Sequence, residues 1–141
     1  MARKRKLAVP PTCNCIILCD DIVQSMTKGK LSLMGLIGTI FVPELPAIIG
    51  GYGVYVRGSN VHGDQKIRLV IETDDGDEVL GLDTGFTKDT NPLAEYTLVT
   101  RLPPFRVERT GKYLFSAKHN GVPIAQMQLM IAQIPAPGEQ S

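Results

Sequence analysis

Apolar and polar residues alternate with a period of two along much of this chain. That is the spacing of a strand with one buried and one wet face. The clearest run is Lys66–Glu72, where Ile67, Leu69 and Ile71 point one way and Lys66, Arg68 and Glu72 the other. Glu78–Leu82 is its partner across the acidic turn Asp74-Asp75-Gly76-Asp77, in which Asp75-Gly76 supplies the positive φ of a tight reversal. A second hairpin closes the chain. Tyr113, Phe115 and Ala117 alternate with the more polar Ser116 and Lys118. Ala125, Met127, Leu129 and Ile131 alternate with Gln126 and Gln128, and Asn120-Gly121 between the arms suits a type I′ turn.

The closing hairpin carries a conflict of register. A plain two-residue loop pairs His119 with Val122 and then sets Phe115 opposite Gln126 and Tyr113 opposite Gln128. A slip of one residue moves a whole face from core to solvent. One extra residue on the return arm restores Phe115 opposite Met127 and Tyr113 opposite Leu129. The sequence therefore predicts a β-bulge near Val122–Ile124, where Pro123, which cannot donate to a ladder, is tolerated.

The remaining strands follow from the same reading. Cys13–Val23 is the first, with Ile16-Ile17-Leu18 apolar on both faces. Lys30–Val42 reads as one long strand in which Gly35 and Gly38 predict a bend, bulge or close crossing. Its apolar part, Leu31–Val42, is about half the roughly 20 residues of a membrane helix, and Pro43 and Pro46 stop it. Tyr52–Arg57 and Leu93–Leu102 are further strands, Asp83–Pro92 a polar loop and Phe105–Val107 part of a linker. About eight strands with regular turn signals and no helical periodicity predict an all-β chain, a two-layer antiparallel β-sandwich. The expected organisation is a disordered arm over 1–12, a single sandwich domain over 13–134 and a disordered tail over 135–141.

Charge changes this picture at one end only. The net charge of +1 hides an arm of Arg3, Lys4, Arg5 and Lys6; 15 basic residues less these four leaves 11 against 14 acidic, a balance of −3. A mildly acidic body gives no argument for nucleic acid, and only the arm offers contact with nucleic acid or an anionic surface. Three cysteines close together are not the even, spread framework of a secreted disulfide domain. Pro10-Pro11 leaves no apolar core for a secretory leader, so a cytoplasmic protein is expected.

Two stretches together resemble a known family. They are Cys19-Asp20-Asp21-Ile22 with Gly29-Lys30-Leu31-Ser32-Leu33-Met34-Gly35, Pro43 and Leu45-Pro46, and the closing hairpin Gly111-Lys112-Tyr113 to Asn120-Gly121. The chain is similar over residues 13–134 to small bacterial proteins of unknown function with an immunoglobulin-like or C2-like β-sandwich. The resemblance implies that fold and transfers no catalytic residue.

Candidate chemistry is sparse. Cys13, Cys15 and Cys19 share a parity, which places them on one face of one strand; thiolates there suit zinc or copper(I), whereas a packed strand uses cysteine as a small hydrophobe. Asp74, Asp75 and Asp77 with Glu78, and Asp20 with Asp21, offer oxygens for calcium, but the spacing is not that of an EF-hand, and a solvated turn accounts for them as well. No nucleophile, metalloprotease or phosphate-loop motif occurs, and Gly50-Gly51-Tyr52-Gly53 precedes a strand and not a helix. His62 and His119 read as exposed loop or turn positions. The expectation is a non-enzymatic module without a cofactor that binds an unidentified protein partner or itself. A nucleic-acid or surface binder acting through the arm and a C2-like calcium-dependent module are the alternatives.

Overall fold

The computed structural model describes residues 12–26, 30–59, 65–86 and 96–135; the basic arm, His62 and the tail beyond residue 135 lie outside them. The described residues form eleven strands and no helix: β1 (Thr12–Gln24), β2 (Leu31–Leu36), β3 (Thr39–Val42), β4 (Ala47–Ile49), β5 (Gly53–Ser59), β6 (Gln65–Thr73), β7 (Glu78–Phe86), β8 (Tyr96–Arg101), β9 (Phe105–Val107), β10 (Gly111–His119) and β11 (Val122–Gln133). One sheet has the order β2-β1-β5-β8, a second β3-β11-β10-β6-β7, and β4 pairs with β9 in a small ribbon. Side chains from both larger sheets meet in one core. Ile16, Leu18, Val54 and Val56 come from the first, and Ile67, Leu69, Ile71, Tyr113, Phe115 and Leu129 from the second. Phe105 and Val107 of the ribbon join them.

The closing hairpin has the register that its alternation requires. His119 pairs with Val122 and Lys118 with Pro123, then the ladder shifts so that Ala117 faces Ala125, Phe115 faces Met127 and Tyr113 faces Leu129. Ile124 is the extra residue. Asn120 and Gly121 have φ of 51° and 78°, the left-handed pair that a type I′ turn demands. Two details differ from the alternation. His119 is buried, because it continues the core-facing series of Tyr113, Phe115 and Ala117. Ser116 is on the outer face yet fully buried, covered by Gln126, whose Nε2 donates to its Oγ at 3.1 Å.

Other expectations are corrected. The run Lys30–Val42 is two strands in different sheets, because Gly35 takes a left-handed φ of 70° and the chain crosses between the sheets over Ile37-Gly38. The crossing delivers β3 parallel to β11, so the second sheet is not wholly antiparallel. Asp83–Phe86 extends β7 and does not belong to a loop, and Phe105–Val107 is a strand held by β4, with Ala47 opposite Val107 and Ile49 opposite Phe105. Short strands of three residues fall below what alternation can register. In the acidic turn the positive φ belongs to Gly76 alone.

The contrasting burial of two phenylalanines, Phe115 in β10 and Phe41 in β3, is testable. Phe115 is fully buried and Phe41 is 64% exposed. Phe115→Ala is expected to lower unfolding free energy by roughly 3–5 kcal/mol and Phe41→Ala by no more than about 0.5 kcal/mol. Urea titration of the two variants decides; equal losses would contradict the facing of β3.

Candidate functional site

The geometry with most chemical interest lies where β1 outruns its neighbour. The β1–β5 ladder ends at Cys19 opposite Gly53, whereas β2 pairs with the last part of β1, from Cys19 opposite Leu36 to Gln24 opposite Leu31. In a straight strand Leu31 would stand about 16 Å beyond Gly53, at roughly 3.3 Å per residue. Instead Leu31 and Leu33 line a groove with Tyr55, Arg57 and Thr97, which lie in the opposite direction along the sheet. The β1–β2 hairpin is therefore folded back across the outer face of β5 and β8.

Local chemistry makes the fold possible. The ladder steps over Asp20 and Gly35, and a side chain at Gly35 would collide with the Asp20 carboxylate. Beyond this point Ile22 lies on the Cys19 side of the sheet, over Gly53. A Cβ at Gly53 would stand 3.1 Å from Ile22 Cγ1 and 3.4 Å from Cys19 Sγ. The missing side chain is the seat of the hairpin. Arg101, opposite Gly53, donates from one guanidinium nitrogen to the Gly51 carbonyl at 2.7 Å and from the other to Asp21 at 2.5 Å. Both partners are more than half exposed, so solvent screening limits this pair to about 0–1 kcal/mol. The apolar seat outweighs it.

Beneath the hairpin runs an open groove with two broad sections of about 580 and 550 Å³. Ile22, Leu31, Leu33 and Val99 are its apolar lining. Gln24, Thr97, Tyr55, Lys30 and Arg57 are its polar lining, with both cations in the same section. None of these residues stood out in the sequence as a site, because they become neighbours only through the fold-back. The available signals were Gly35 and Gly53.

The three cysteines do not all share a face: Cys15 and Cys19 keep the common parity and Cys13 does not. A bulge between Cys13 and Cys15 shifts the β1–β5 register, so Cys13 falls opposite Gly58 and Cys15 opposite Arg57. Cys13 packs on the core, and its thiol donates to the Cys15 carbonyl at 3.6 Å; Cys19 donates to Gly53 O at 3.6 Å. Burial pushes the Cys13 thiol up to about 11, with the neighbouring Cys15 adding to the rise. Burial also raises Cys19, helped by the charges of Asp20 and Asp21. Metal binding needs thiolate, so these shifts oppose it. Asp74, Asp75 and Asp77 are exposed, and Asp75 is engaged by Arg109 at 2.9 Å. Among the described residues no three His, Cys, Asp or Glu side chains come together as a metal site. A hollow of about 400 Å³ beside this turn presents Arg106 and Arg109, but these face Glu108 at 3.1 Å and Asp75 at 2.9 Å.

Two measurements follow. Gly53→Val places methyl groups where Ile22 sits; it is expected to lower Tm by several degrees and to raise amide exchange in Asp21–Gln24 and Leu31–Leu36 above that in β10. Exchange that rises equally everywhere would deny the seat its role. For the thiols, the folded state favours the protonated form of Cys13. Its contribution is complete below the ordinary value of 9.0 and is lost as pH rises through about 11, so stability declines over that interval. Iodoacetamide at pH 8 should modify Cys13 and Cys19 slowly in the native protein and rapidly in guanidinium. Rapid native labelling of both, read by peptide mass spectrometry, would contradict their protection.

No curated protein matches the chain. No helix among the described residues is long and apolar enough to cross a membrane. A model of a family of unknown function (DUF6941) matches residues 14–132, which spans all but the outermost residues of both larger sheets, and the chain belongs to that family.

Proposed function

We propose that this protein is a non-enzymatic β-sandwich, immunoglobulin-like or C2-like in plan, that acts in the cytoplasm by binding protein, with a second copy of itself as one partner. The observation that carries the reading is the outer surface of the β1–β2 hairpin. Among the described residues β2 ends its sheet, so one side of its backbone has no strand neighbour there. Edge strands are ordinarily guarded by charge, proline or bulges. Leu31–Leu36 has no charged residue and no proline, and neither does its continuation to Val42. Met34 is 55% exposed, Leu36 69% and Val23, on the paired strand, 45%.

An uncharged strand offers nothing for a charged partner to recognise, and it is complementary to itself when turned about a two-fold axis. Antiparallel pairing of β2 with its copy gives a closed isologous contact, the commonest form of assembly. Sandwich modules commonly work through such edges and end loops. The groove and the cysteines contain no nucleophile paired with a placed base, which supports a binding role over a catalytic one.

Light scattering coupled to size exclusion, at about 10 to 200 µM protein, tests the reading. The native chain should populate a dimer across this range, and Met34→Lys/Leu36→Lys should return it to monomer with an unchanged far-ultraviolet spectrum. A native chain that stays monomeric throughout, or a dimer indifferent to both lysines, would overturn self-association through β2.

A further inference from the structure

We propose that Asn120, at the tip of the closing hairpin, is a site of self-modification, where the main-chain nitrogen of Gly121 attacks the side-chain amide and converts it to a carboxylate. The inference concerns the β10–β11 turn and does not rest on self-association through β2. The Gly121 nitrogen, after losing its proton to solvent base, bonds to Asn120 Cγ. The bond from Cγ to the amide nitrogen breaks, and ammonia leaves. Water then opens the five-membered ring at either carbonyl. Opening at Cγ gives aspartate. Opening at the main-chain carbonyl gives isoaspartate, in which the chain runs through the side-chain carbons. One water is consumed and one ammonia released.

The sequence narrows the choice first. The asparagines are Asn14, Asn60, Asn91 and Asn120, and the residue after each must present an unhindered N–H. Cys15 and Val61 carry a side chain beside that nitrogen, and Pro92 has no N–H. Gly121 leaves it open. The structure narrows it further by contrast with a second turn, Asp75-Gly76, whose carboxyl could close the same ring with loss of water. There both reacting groups are occupied. Gly76 donates its N–H to the Thr73 carbonyl at 3.0 Å, and Arg109 holds the Asp75 carboxylate at 2.9 Å. At the closing turn Asn120 and Gly121 are exposed, and the space beside Gly121 Cα is empty. Among the described residues no hydrogen bond holds the Asn120 amide or the Gly121 N–H.

Ring closure requires the main chain to leave the tight turn so that the Gly121 nitrogen can reach Cγ. The bulge keeps that opening local. Between the turn and the bulge the hairpin has only the pairs His119–Val122 and Lys118–Pro123, and Pro123 has no N–H to give. Ile124 stands outside the ladder, and regular pairing resumes at Ala117–Ala125. Val122 and Pro123 are exposed, so the tip can lift without withdrawing either from the core. Such an opening costs far less than unfolding the sheet. The two products differ in consequence. Aspartate tolerates the left-handed φ of residue 120 and keeps the turn. Isoaspartate adds a main-chain carbon to a two-residue loop and loosens the tip.

Incubation of the full chain at mildly alkaline pH, followed by isoelectric focusing and peptide mass spectrometry, tests the proposal. An acidic species should accumulate over days, with carboxylate in place of amide at residue 120 and isoaspartate in part of it. Asn120→Gly, which leaves a glycine pair suited to a type I′ turn, should not form that species. Peptides that contain Asn14, Asn60 or Asp75 should change at least about ten-fold more slowly. The rate at Asn120 should stay nearly constant as urea is raised below the unfolding transition, because the opening is confined to the tip. The proposal is overturned if Asn120 keeps its amide in the native chain while an isolated peptide of residues 118–125 loses it. It is overturned as well if Asn14, Asn60 or Asp75 converts at the same rate, if Asn120→Gly forms the acidic species as fast as the native chain, or if the rate climbs with urea as global unfolding does.

Discussion

The register of β10 is the constraint on which the second sheet depends. β10 lies between β11 and β6, and the series Tyr113, Phe115, Ala117 and His119 faces inward against both. Its turn and its core make incompatible demands by one residue. Regular pairing from Asn120-Gly121 would turn Gln126 and Gln128 toward the core, and each buried amide without a partner costs about 1–3 kcal/mol. Setting Ile124 out of the ladder leaves one strand residue unpaired at the solvent end of the sheet, a smaller cost. The bulge is the cheaper solution. It also keeps Gln126 on the outer face, where it covers Ser116.

A second constraint governs the other sheet. β1 is thirteen residues long but has β5 beside it only as far as Cys19. The overhanging end with its apolar Ile22, Leu31 and Leu33 has no core to enter if it continues straight. Folding back across β5 and β8 half-buries those three side chains and covers Cys19. The move requires a chain that can bend and a sheet that can receive it. Gly35 and Asp20 supply the bend, and Gly53 supplies the receiving surface. The same bend carries the chain from β2 to β3 and so from one sheet to the other, where it enters parallel to β11.

These two regions also mark how far the sequence can be read. The closing hairpin was legible down to its bulge, because both arms alternate strongly and the turn residues fix the loop. The break near Gly35 and Gly38 was legible as a break, but its consequence was not: alternation describes faces of a strand and is silent on which sheet a strand joins. The same limit hid β4 and β9. Cys13 was misplaced for a simpler reason, since parity counts residues and a bulge between Cys13 and Cys15 adds one. Nothing in the sequence joined Lys30 to Arg57 or Ile22 to Val99, because their proximity is created by a fold-back that two glycines permit and no periodicity announces.

The two faces of the hairpin differ in a way that bears on its proposed role. Its outer face carries Val23, Met34 and Leu36, with Asp21 turned toward Arg101 at the bend; its inner face carries Ile22, Gln24, Leu31 and Leu33 with Lys30 at the end. If the hairpin only closed off the overhang, the inner face would need apolar contact and the outer face would be charged, as exposed edges usually are. The inner face meets that expectation and the outer face departs from it. Apolar residues are placed where water is. An outer surface kept open to a second strand, as proposed above, accounts for that departure, whereas a purely structural flap does not.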